Sequence, residues 1–128
     1  MRKDRFQSLL TFQLEQLKKL TATKGKEYTN NESSGAADQH ANFYRQAQEL
    51  GLTPEQVLGV YLNKHLDAVK SFIKTGAVLS EPIEGRIDDA ILYLILLRGL
   101  VIDRQEAAEP EATARHIGNL VLDGASRN

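Results

Sequence analysis

The stretch Ile83-Glu84-Gly85-Arg86-Ile87-Asp88-Asp89-Ala90-Ile91-Leu92-Tyr93-Leu94-Ile95-Leu96-Leu97-Arg98-Gly99-Leu100 decides the fold. Ile83, Ile87, Ala90, Ile91, Leu94, Ile95 and Leu97 recur at helical spacing. Leu92, Leu96, Leu100 and Ile102 carry apolar character further round the cylinder. The spacing predicts a helix from about Ile83 to Gln105. A helix apolar nearly all round is central in a bundle or lies at a subunit interface. Arg98 falls inside the stripe of Ile87, Ile91, Leu94 and Val101. A buried guanidinium needs a carboxylate or an anionic ligand, unless it snorkels to the edge.

Upstream, Thr53-Pro54-Glu55-Gln56 predicts a helix start, with a capping threonine, proline in the first turn and a capping-box glutamine. The helix it opens places Val57, Leu58, Tyr61, Leu62, His65, Leu66, Val69, Phe72 and Ile73 on one face and ends at Gly76. A turn from Val78 to Pro82 leads on to the decisive stretch. Before Gly51, a C-cap glycine, lies a short helix from about Gln39 to Leu50. The first helix, about Lys3 to Thr23, is amphipathic, with Phe6, Leu9, Leu10, Leu14, Leu17 and Leu20 in step. Residues about 24–38 are polar and small, and are expected to form a mobile loop, functional or merely disordered. Downstream, Pro110 to Leu122 is expected to form a last amphipathic segment, and residues 123–128 a frayed tail. The expected fold is all-α, a four- to five-helix bundle in a single domain over 1–128, forming a homo-oligomer.

The bulk composition narrows the chemistry. The chain has 128 residues and no cysteine, so neither disulfides nor thiolate sites arise. That composition suits a reducing, cytoplasmic setting. The net charge of −1 supplies no field for DNA or an anionic membrane, and no motif for sequence-specific nucleic-acid recognition stands out. The basic start Met1-Arg2-Lys3-Asp4-Arg5 lacks the apolar run of a signal peptide. The longest apolar run, Ala90 to Leu97, falls far short of the roughly 20 residues of a spanning helix. No membrane partner is expected.

Few residues stand out chemically. His65 breaks an apolar face, either as a satisfied core histidine or as a pocket residue, with Lys64 at the edge of the same face. Glu84, Asp88 and Asp89 open the decisive helix, where acids favour the macrodipole and paired carboxylates can also hold Mg²⁺. Lys24-Gly25-Lys26-Glu27-Tyr28 sets two ammonium groups and a phenol around a glycine, suited to phosphate without being a P-loop. His40, His65 and His116 show no metal-ligand spacing.

The succession Lys24-Gly25-Lys26-Glu27-Tyr28, Asn42-Phe43, Lys64-His65 and Glu84 to Leu94 resembles small phage and prophage proteins related to the nucleotide-modification-associated domain family. The resemblance spans roughly Lys24 to Leu100. It implies an all-α fold in a phage context, with a host-cytosol location and a role near nucleotides. On that basis the expected ligand residues are Lys24, Lys26, Tyr28, Asn42, Phe43, Lys64, His65 and Arg98. The late helix also resembles the last motif of MazG-type nucleotide pyrophosphohydrolases, which hold Mg²⁺ on two acidic helices. Here the first acidic motif is missing, and Lys64, His65 and Asp67 stand in its place.

Three functions follow as expectations. The first is capture of a nucleotide or nucleotide-derived signal without a cofactor, as an anti-defence sponge. The second is Mg²⁺-dependent pyrophosphohydrolysis with Glu84, Asp88 and Asp89 as metal ligands. The third is binding and inhibition of a host protein by a helical surface.

Overall fold

Strong local stop and start signals break the chain into helices. The computed structural model describes residues 1–28, 38–77 and 81–109, leaving aside the side chains of 23–28. Four helices form in chain order: α1 (Lys3–Tyr28), α2 (Ala41–Leu50), α3 (Pro54–Thr75) and α4 (Ile83–Ala108). There is no strand among the described residues, and none of their helices is long and apolar enough to cross a membrane.

The caps are those that the sequence predicts. Thr53 Oγ1 accepts from the Gln56 backbone N–H at 3.1 Å, and Gln56 Oε1 accepts from the Thr53 N–H at 2.9 Å. Gly51 and Gly76 close α2 and α3 in left-handed conformations, with φ of 69° and 72°. Such a φ strains any residue bearing a Cβ. Two expectations are corrected. α1 runs on to Tyr28, so 24–28 belong to a helix and not to a loop. Nothing at Gly25 halts it, because a single glycine weakens a helix by only about 1 kcal/mol. α4 also runs past Gln105 to Ala108. The rest of the expected loop, the amphipathic segment 110–122 and the tail lie outside the described residues.

Apolar side chains from three helices make the core. Phe43 and Ala47 come from α2, Val57 and Leu58 from α3, and Tyr93 and Leu100 from α4. Tyr61, Leu62, Leu96 and Leu97 pack against them. α3 and α4 run antiparallel, since Glu55 pairs with Arg104 while His65 faces Asp89. α1 joins at one flank, where Gln13 Nε2 donates to Asp88 Oδ1 at 2.6 Å. Leu17 is the buried side chain of α1 among those described. Phe6, Leu9 and Leu10 continue the same stripe but stay about half exposed. Leu14 of the stripe is exposed too, so its cover begins at Leu17.

Candidate functional site

The face of α4 that meets α3 and α2 mixes aromatic, aliphatic and charged groups. Near its start Arg86, largely buried, pairs with Glu81 at 3.3 Å. One turn on, Asp89 Oδ2 lies 3.6 Å from His65 Nδ1 of α3, with the two side chains only 14% and 13% exposed. A carboxylate sheltered to this degree is costly unless a donor or cation accompanies it, and His65 is placed to answer it. The His65 ring stacks on Tyr93, centroids 5.2 Å apart, and Tyr93 stacks on Tyr61 at 6.1 Å. Phe43 meets both tyrosines edge-on at 6.2 Å, a favoured aromatic geometry. The Tyr61 hydroxyl meets the Gln46 carboxamide at 3.0 Å, giving its polar end a partner.

A second histidine docks on α4 two turns further along. His40 Nε2 lies 3.0 Å from the Leu96 carbonyl, and its Nδ1 lies 3.3 Å from Asp103 Oδ2. A carbonyl only accepts, so Nε2–H donates to it. Gly99 makes this approach possible. A Cβ at that position would stand 2.8 Å from His40 Cε1. Sequence reasoning missed this seat. Its signal was a glycine in the interior of a strongly apolar helix, which marks close approach by another group. Beyond it, Arg104 Nε and Nη2 both donate to Glu55 Oε1, at 3.0 and 2.7 Å. Burial pushes the Glu55 carboxyl up, but its own backbone N–H, Arg104 and Thr53 outweigh this and hold it below the usual carboxylate range. Tyr44 is pushed up, first by burial and then by the carboxylates of Asp103, Asp38 and Glu55.

The expected ligand residues do not gather into one described pocket. Lys64 is exposed, next in sequence to the largely buried His65. Asn42 accepts from Arg45 within α2. Phe43 is only 2% exposed and enclosed by two tyrosines, so a base could reach its ring only if the core opened. The side chains of Lys24, Lys26 and Tyr28 lie outside those described. Arg98 corrects an expectation: it is exposed and belongs to no shared polar site with His65. The reason is helical geometry. Arg98 follows Asp89 by nine residues, which at about 100° per residue sets it on the opposite side of α4.

The three carboxylates of the metal alternative point apart. Asp88 turns to α1, Asp89 faces α3, and Glu84 is exposed. Among the described residues no three potential ligands converge on one point. In comparisons with known proteins, no family model, curated protein or solved structure matches this chain.

Proposed function

We propose that this chain is a helical binding protein that works through protein–protein contact and is itself a homo-oligomer. One observation carries this reading. The apolar line Ile87, Leu94 and Val101 of α4 lies open, with Leu94 50% exposed, instead of facing the core. Phe6, Leu9, Leu10, Phe12 and Leu14 of α1 are also about half exposed. Apolar surface on this scale marks an interaction site in a folded protein. A cysteine-free chain suits a reducing cytosol. Light scattering tests the proposal. The expected result at micromolar concentration is a mass at least twice 14.3 kDa, and a strictly monomeric mass overturns it.

A second reading is favoured by the sheltered His65–Asp89 contact, with the exposed Lys64 next to His65 in sequence. It is capture of a nucleotide-type ligand without a metal, in the phage setting that the resemblance implies. Cationic donors suit phosphate oxygens directly. The expected result is a nucleotide-induced rise in melting temperature that persists in EDTA and shrinks in Lys64→Ala. Binding that requires Mg²⁺, with steady pyrophosphate release, would turn this reading into the pyrophosphohydrolase alternative with Glu84, Asp88 and Asp89. No response to any nucleotide would remove both.

A further inference from the structure

The open face of α4 carries a pattern more specific than apolarity. Ile87, Ile91, Leu94, Arg98 and Val101 are separated by four, three, four and three residues. That alternation is the spacing of a coiled-coil seam. Ile87, Leu94 and Val101 are 40%, 50% and 44% exposed. Within the seam, Glu84, Ile91 and Arg98 stand seven residues apart. Seven residues return to nearly the same side of a helix, about 20° off. The three therefore form one line, with a carboxylate at one end, an isoleucine in the middle and a guanidinium at the other. Glu84 and Arg98 are exposed, and neither forms an ion pair among the described residues.

We propose that two copies of this chain pair antiparallel along α4 about a two-fold axis at Ile91. This rests on the self-association reading above and specifies its surface and register. In a two-fold contact the same patch serves both copies. With the axis at Ile91, each residue faces the partner residue whose number brings their sum to 182. Glu84 of one copy then meets Arg98 of the other, and the same pair forms again beyond the axis. Ile91 packs on its own copy, Ile87 is level with Ile95, which is itself 52% exposed, and Leu94 and Val101 are level with Asp88 and Glu81 of the other copy. A parallel pairing would set Arg98 against Arg98 and Glu84 against Glu84, and like charges facing each other repel. Charge thus selects the antiparallel arrangement.

On α4 itself Ile87, Leu94, Ile95 and Val101 are between 40% and 52% exposed, an open apolar line for a second copy to cover. α1 packs on the flank of α4 that bears Asp88. Asp88 and Ile95 share that flank, being seven residues apart, so α1 borders the seam. The net charge of −1 sets up no general repulsion between copies.

The absence of native cysteine makes a clean cross-linking test. Glu84→Cys and Arg98→Cys are prepared separately, mixed and mildly oxidised, with circular dichroism confirming the helices. The expected product is the mixed disulfide dimer, with little cross-linking of either variant alone. In parallel, Glu84→Arg and Arg98→Glu should each weaken the dimer about tenfold, and the double reversal should restore it. Self-linking of Glu84→Cys overturns the antiparallel register, and so does a dimer insensitive to both reversals. In those cases self-association itself survives. A monomeric mass for the unaltered chain overturns both proposals together.

Discussion

The two sides of α4 are nearly equal in apolar content but opposite in fate. One side, through Tyr93, Leu96, Leu97 and Leu100, closes against α2 and α3. The other, through Ile87, Leu94 and Val101, stays open. Hydrophobicity does not separate them. The closed side has Tyr93 to stack with Tyr61 and His65, Asp89 to meet His65, and Gly99 to admit His40. The open side has only aliphatic groups with the exposed Glu84 and Arg98. Where a helix is apolar all round, the core side is chosen by groups that need particular partners, because only they lose more when left unmatched.

The largest test of this contrast compares a leucine from each region. Leu58 is fully buried against the closed side, so Leu58→Ala should cost about 2–5 kcal/mol in urea unfolding. Leu94→Ala, measured at a concentration where the chain is monomeric, should stay within roughly 0.5 kcal/mol. Equal losses at the two positions would erase the distinction.

The polar anchors come next. Asp89→Ala removes the carboxylate facing His65 and should cost about 1–3 kcal/mol. Glu84→Ala, on the open side, should leave monomer stability nearly unchanged. Chemical denaturation of the pair gives the comparison directly, and an effect of Glu84→Ala as large as that of Asp89→Ala would contradict it.

A sign reversal is expected at Gly99. Alanine there gains about 1 kcal/mol of helix propensity but displaces the His40 ring and its bond to the Leu96 carbonyl. Overpacking of this kind typically costs about 1–3 kcal/mol, so Gly99→Ala should be net destabilising by about 1 kcal/mol. In a His40→Ala background the same substitution should stabilise. A double-mutant cycle by thermal denaturation measures the coupling, and an unchanged sign would show that His40 is not seated there.

The smallest effect concerns Arg104 and Glu55. Their pair is partly exposed, so Arg104→Ala should cost about 0.5–1 kcal/mol. The folded Glu55 carboxyl titrates below its ordinary value of 4.5. Its contribution is therefore present above that pH and is lost as pH falls through the folded value. Arg104→Ala should flatten the acid side of a stability–pH profile. An unchanged profile would mean that the backbone N–H and Thr53 suffice to hold the carboxylate.

Local signals alone determined that this chain is helical and where most of its helices begin and end. Thr53, Pro54, Gln56, Gly51 and Gly76 act within a few residues, so their effects are readable without knowing the neighbours. His65 was legible as an anomaly on an apolar face, but its answering group was not. Whether Asp89 or Arg98 meets it depends on which side of α4 turns inward. Only the tertiary structure decided that, and with it the seating of His40, the enclosure of Phe43 and the exposure of Arg98. The physical reason is that periodicity ranks the sides of one helix by their own apolar content. When the sides are nearly equal, burial is assigned by partners distant in sequence, here 24 residues away for His65 and Asp89 and 56 for His40 and Leu96.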